Sequence, residues 1–197
     1  MVRLIGDVHA DVVGNYQKYL NLIEDVEFSI QLGDFGFDYS CLDGISDNHK
    51  IVAGNHDNYD RMDDSHFLGD YGTYEIEEQN FSCFFIRGGF SVDKAFRTEG
   101  ISWWKNEELT YQEMEKCVDL YSQAKPKIVI SHECPSEIGQ MICDGSYSPS
   151  KTSQLLNVLW NIHSPKIWVF AHWHKDWECF CRDTQFYCLD ELSCFET

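Results

Sequence analysis

The chain has 197 residues, 43% hydrophobic and 15% aromatic, which is enough apolar material for one packed core and too much for a disordered chain. With 33 acidic against 15 basic residues, its formal net charge of -18 argues against broad binding of nucleic acid, which needs a Lys/Arg surface. No apolar run approaches the ~20 residues of a membrane span, and Met1 to Asp7 turns acidic too early for a secretory leader. A cytoplasmic protein of one domain, residues 1–197, is expected.

Short apolar runs alternate with helical patterns, which predicts an α/β arrangement. Val2 to Asp7 reads as a first strand. Asp11 is the expected N-cap of a helix whose apolar stripe is Val12, Tyr16, Leu20 and Ile23. Phe28 to Leu32 and Ile51 to Ala53 are the second and third strands. Asp57 to Glu78 is dense in acids and reads as a solvated face. Phe81 to Ile86 is a fourth strand, ending at Gly88-Gly89, where the backbone must turn or approach something closely. Residues 90 to about 108 form a long irregular segment carrying Trp103-Trp104, expected to pack onto the sheet.

Thr110 opens a helix with Glu113 completing a capping box, and its apolar stripe is Met114, Cys117, Val118 and Tyr121. Lys127 to Ser131 is a buried type of strand. Residues 133 to 150, with two Pro and two Gly, predict a loop. Leu155, Leu156, Leu159 and Ile162 mark another helix, stopped by Pro165. Ile167 to Ala171 is the next strand, and Glu178 to Cys181 with Phe186 to Leu189 predict a closing hairpin. The nine cysteines lack CxxC spacing and are expected as buried free thiols.

Five of these strands end on polar blocks. Asp7-Val8-His9 follows the first, Gly33-Asp34 the second, and Gly54-Asn55-His56-Asp57 the third. His132 follows the Ile/Val strand, and His172-Trp173-His174 follows the strand before the hairpin. The carboxyl ends of strands are where sites assemble in layered α/β proteins. One histidine at a strand end means little, but five such blocks together are costly to bury unless their groups are paired or metal-bound. A carboxylate such as Asp34 can bridge two ions through its two oxygens, and Asn55 offers a neutral carbonyl oxygen. The imidazoles suit Zn, Mn, Fe, Co or Ni better than Ca or Mg. Donors without thiolate fit an open catalytic site better than a structural zinc. Trp173, alternating away from its two neighbours, is expected in the core. Arg87 and Arg97 read equally as clamps for a substrate phosphate or as surface residues. His49, His66 and His163 have no motif context.

The ordered set Asp7-x-His9, Gly33-Asp34, Gly54-Asn55-His56-Asp57, His132 and His172-x-His174 resembles the calcineurin-like metallophosphoesterases, from Asp7 to His174. The resemblance implies a four-layer α/β/β/α sandwich with a dinuclear metal site at its strand carboxyl ends. It implies one ion on Asp7, His9, Asp34 and His174, and another on Asp34, Asn55, His132 and His172, with manganese favoured. His56 would face the substrate, oriented by Asp57 or Asp38. The implied reaction is in-line attack of a metal-bridging hydroxide on phosphorus, with His56 assisting the leaving alkoxide. Two ions would outweigh two carboxylates in charge, so the acidic chain can still attract an anion.

Some positions depart from better-known branches. Phe35-Gly36-Phe37 stands where the protein Ser/Thr phosphatases carry Asp and Arg. Phe37 stands where purple acid phosphatases carry a Tyr ligand and where Mre11-like nucleases tend to place a polar residue. Ala171 replaces the usual Gly before the last His pair. The expected substrate is therefore a small phosphate ester such as a nucleotide, and the Asn55-His56-Asp57 block, common in diesterase branches of the family, slightly favours diesters over monoesters. The alternatives are a nuclease acting on nucleic-acid ends and a non-catalytic metal-binding interaction scaffold.

Overall fold

Alternating apolar positions give the central strands two buried faces, and the computed structural model, which describes residues 1–143 and 146–197, shows what covers each. In one sheet β1 (Arg3–Ile5), β2 (Ser29–Gln31) and β3 (His49–Ile51) run parallel, with β10 (Cys194–Glu196) antiparallel beside β1. The second sheet has the order β4-β5-β6-β7-β9-β8. Its members are β4 (Tyr71–Ile76), β5 (Phe81–Ile86), β6 (Ile128–Ser131), β7 (Ile167–Phe170), β8 (Trp177–Cys181) and β9 (Thr184–Cys188). Strands β5, β6, β7 and β9 are parallel, while β4 and β8 pair antiparallel at the edges.

The period of two decides the layering. Leu4, Ile30 and Val52 from the first sheet meet Phe85, Ile130 and Val169 from the second in one buried cluster between the sheets. The neighbouring positions Phe84, Val129, Trp168 and Phe170 point the other way. They pack under α2 (Tyr111–Ala124), α3 (Ser136–Ile142) and α4 (Lys151–Ile162) through Cys117, Tyr121, Ile138 and Leu156. On the far side, Ile5 and Ile51 pack with Tyr19 and Ile23 of α1 (Asn15–Ile23). The result is a four-layer α/β/β/α sandwich. Among the described residues no helix is long and apolar enough to cross a membrane.

Most expected elements are present, and α2 carries its capping box: the Thr110 hydroxyl and Glu113 carboxylate exchange hydrogen bonds with each other's backbone N–H. Several expectations are corrected or extended. Asp11 does not cap α1, which starts at Asn15 after Gly14; Ala10 is tied to the Phe35 carbonyl, so the chain must turn before a helix can begin, and Val12 is exposed. The acids of the acid-rich stretch do face solvent, apart from buried Asp57, but the stretch also contains β4, whose Ile76 is buried while Thr73 and Glu75 are exposed. The expected loop 133–150 contains α3; residues 144 and 145 of it lie outside the described residues. Gly139 sits within that helix because a Cβ there would meet the Tyr147 ring at 2.7 Å. All nine cysteines are free, but only Cys83, Cys117, Cys134 and Cys188 are buried, and Cys194 is exposed. The short β10 is an addition for which the sequence pattern holds no signal.

Candidate metal centre

The five polar blocks begin where their strands stop. Asp7 and His9 follow β1, Asp34 follows β2, Asn55 and His56 follow β3, His132 follows β6, and His172 and His174 follow β7. His9, Asp34, His172 and His174 all adopt positive φ, between 45° and 72°. That region costs non-glycine residues of order 1 kcal/mol or more and persists only where the surroundings enforce it. Here they do: His9 N–H donates to the Asp34 carbonyl, Asp34 N–H to the Asp57 carboxylate, and His172 N–H to Asp7. Gly33 and Gly54 let these segments touch, since a Cβ at Gly33 would strike the His132 imidazole and one at Gly54 the Asp34 carboxylate.

Two donor groups result. Asp7, His9, Asp34 and His174 each present a ligand atom within 4.8 Å of the others, and so do Asp34, His132 and His172; Asp34 belongs to both. Asn55 completes the second group, its Oδ1 lying 3.0 Å from His132 Nε2 while its amide N–H donates to Ser91. Ser91 in turn donates to Glu107, which fixes the amide with its oxygen inward.

The donor chemistry fits cations. His132 Nδ1 donates to the Leu32 carbonyl at 2.8 Å, because a carbonyl can only accept. Burial, opposed by the Asp34 charge, holds the His132 pKa down at about 3, so Nε2 carries a lone pair. That lone pair faces Asp34 Oδ1 at 3.2 Å and Asn55 Oδ1, both acceptors. His172 Nδ1 also points at this nitrogen, 3.1 Å away, with Glu133 3.5 Å from its Nε2. In the first group His9 Nε2 is buried with no hydrogen-bond partner. Converging lone pairs and an orphaned imidazole nitrogen are unfavourable in a dry interior without positive charge among them. Residues of these types at these positions fit divalent ions.

The carboxylates divide the charge. Burial pushes Asp34 up, but four imidazoles, His132 foremost, bring it down to about 2. Burial and the Asp34 charge raise Asp7. Asp57 is pushed up to about 8 by burial and by Asp34, against the donors around it.

All seven expected ligands and His56 come together. The expected orienting role of Asp57 does not hold: its carboxylate accepts the backbone N–H groups of Asp34, Phe35, Gly36 and Gly54 and the Tyr39 hydroxyl, and so braces the loops instead. Asp38 caps a turn at Ser40. The His56 imidazole is stacked on Phe37, edge-on to His9, and contacted by Arg97. Arg87 is neither a clamp nor a surface residue; it is buried against Asp70 and the Asn106 carbonyl. Trp104 is buried as expected, but Trp173 is half-buried and donates to Glu133. Sequence reasoning missed Glu133 and Glu191, which stand behind His172 and His174; Glu133 had the signal of adjoining His132, and Glu191 had none.

A family model described as calcineurin-like phosphoesterase matches residues 2–176. Among solved structures the chain is similar to the TT1561 protein of Thermus thermophilus, at 11% identity over 96% of this chain and 88% of that one, TM-score 0.54. It is also similar to GAP50, the anchor in the inner membrane complex of Plasmodium, at 16% identity over 96% and 71%, TM-score 0.51. Phosphopantetheinyl hydrolase (PptH) from Mycobacterium tuberculosis follows at 12% identity over 96% and 89%, TM-score 0.50. At such identities the likeness is one of fold. No curated protein matches the sequence.

Proposed function

The chain belongs to the calcineurin-like phosphoesterase family, and from that premise we propose that it hydrolyses a small, nucleotide-like phosphate ester with two divalent ions sharing Asp34. Asp7, His9, Asp34 and His174 would hold one ion, and Asp34, Asn55, His132 and His172 the other. The observation that carries this reading is the meeting of two donor groups at one carboxylate, with the His132 Nε2 lone pair facing the Asn55 and Asp34 oxygens. The chemistry such ions supply when bound is Lewis-acid activation of water and neutralisation of phosphoryl charge. Imidazole and oxygen donors suit Mn, Zn, Fe, Co or Ni, and manganese is the ion to try first.

The protein's own groups do the rest. Asp57 and the glycines beside Asp34 hold the loops so that the donors are in place before substrate arrives. His56, outside both donor groups, would give a proton to the departing alkoxide oxygen. Phe37 beneath it and His9 beside it limit where its ring can turn. A cavity of about 490 Å³ opens beside His172 and His174 and is lined by Phe90, Tyr147 and Trp173. Its size suits a small molecule, and its aromatic faces suit a flat group such as the base of a nucleoside. The charge of -18 weighs against long nucleic acid.

Metal analysis together with hydrolysis of bis-aryl and mono-aryl phosphates tests the reading. Asp34→Asn should lose both ions and turnover. His56→Ala should keep its metal and lose about 10²–10⁴-fold in kcat. Equal metal loss in the two variants overturns the division of roles, and no turnover with any divalent ion favours the scaffold.

A further inference from the structure

Arg97 belongs to the long segment joining β5 to α2, and its position is built. Its Nε donates to Asp93 Oδ1 at 2.7 Å and its Nη1 to the Ser102 carbonyl at 3.1 Å. These two bonds aim Nη2 at the His56 imidazole, 3.4 Å from Nδ1 and in contact with Nε2. The Arg97 side chain is only 11% exposed. Trp104, from the same segment, is buried against Phe37, the residue under His56, and donates to Asp60. The segment is therefore pinned at the site by Arg97 and Trp104, while Val92, Phe96 and Ile101 stay in solvent.

This placement is hard to explain by packing alone. A guanidinium carries five donors and no acceptor, and it binds carboxylate and phosphate best. On the Nη2 side Arg97 meets only the His56 ring, although acids outnumber basic residues 33 to 15 in this chain. Beside a centre that would hold divalent ions, a further buried cation raises the local positive charge, and an entering anion relieves it.

We propose that Arg97 binds a non-bridging oxygen of the substrate phosphoryl group beside His56, and so favours phosphate monoesters or terminal phosphates over diesters. A monoester offers three acceptor oxygens and roughly −1.5 to −2 charge near neutral pH. A diester offers one oxygen fewer and a single charge. With the ions occupied by other oxygens, the monoester keeps one for Arg97. When that oxygen takes the guanidinium donors, His56 Nε2 is released, takes up a proton from solvent and turns it to the leaving group. Asp93 and the Ser102 carbonyl are positioning groups that keep the fork aimed. The inference rests on the hydrolase reading and turns its expected diester preference towards monoesters.

The test uses metal-loaded protein, wild type against Arg97→Ala, with Arg97→Gln in case the alanine variant fails to fold. Metal content, inhibition or binding by inorganic phosphate, and kcat/KM on mono-aryl and bis-aryl phosphates are measured together. Metal content should not change. Inorganic phosphate should bind roughly 10–100-fold more weakly, the loss expected for one charge-assisted contact. The monoester should lose a similar factor in kcat/KM, several-fold more than the diester. Equal losses on both esters with unchanged phosphate affinity would overturn the role of Arg97. If wild type hydrolyses neither ester, the hydrolase reading fails, and the phosphate arm alone decides whether Arg97 is an anion site.

Discussion

His132, on one side of Asp34, has no exposed side-chain surface, whereas His174, on the other, leaves 46% of its side chain in solvent. Their supports differ in the same way. His132 donates to the Leu32 carbonyl within the inter-sheet core, and its neighbour His172 is backed by buried Glu133. His174 is held through Nδ1 by Glu191, itself 42% exposed, at 2.7 Å. A donor fixed by buried partners is ordered when the chain folds. One fixed at the surface is screened by solvent, and its ordering must come partly from the ion it binds. Under the proposed ligand sets, the second group is the tighter site and the first is the one that exchanges.

Truncating the two histidines breaks the comparison most severely. His132→Ala should lose one ion and also cost roughly 2–4 kcal/mol of stability, because it opens a cavity under both sheets. His174→Ala should lose the other ion with a stability change under about 0.5 kcal/mol. Metal stoichiometry and thermal unfolding of the two variants, side by side, separate these outcomes. A similar fall in melting temperature for both would show that burial does not distinguish the two groups.

The supporting carboxylates sharpen the comparison at smaller cost. Second-layer partners of ligating histidines contribute about 10–100-fold in metal affinity. Glu133→Gln should fall near the upper end of that range and Glu191→Gln near the lower, read by metal titration of the apoprotein. The reverse order would mean that the exposed pair is the organising one.

The smallest effect is expected far from the site, at the α2 capping box. Hydrogen bonds from the Thr110 backbone and hydroxyl hold the Glu113 carboxylate below its ordinary value of 4.5. A depressed carboxylate stabilises the fold fully above the unfolded value and loses that contribution as pH falls through the lower folded one. Thr110→Ala should therefore cost about 1 kcal/mol at neutral pH, flatten the acid limb of the stability profile, and leave both metal affinities unchanged.

The strands that carry the centre were legible because each states its burial twice. Ile130 and Val169 face one layer while Val129 and Trp168 face the other, so apolar runs stop abruptly at the polar strand ends. The parts that were not legible carry a weak or interrupted signal. β4 alternates, with Gly72 and Ile76 inward and Thr73 and Glu75 outward, but its glycine and its acids dilute the apolar run, and β10 has only three residues. α3 was hidden by Pro135 at its start and Gly139 within it, although that glycine answers to Tyr147 rather than to a turn. Glu133 and Glu191 are set by which second nitrogen lies nearby in three dimensions, and only the fold separates Arg97, at His56, from Arg87, buried on Asp70. Asp57 shows the converse: it sits inside the right block, yet its carboxylate is claimed by backbone N–H groups from another strand end.

Anomalous diffraction from crystals grown with manganese tests the central claim most directly. Two peaks about 3.5–4 Å apart, one on each side of the Asp34 carboxylate, with the peak nearer His174 weaker at limiting metal, are the predicted result. A single peak away from Asp34, or none at saturating metal, would contradict it.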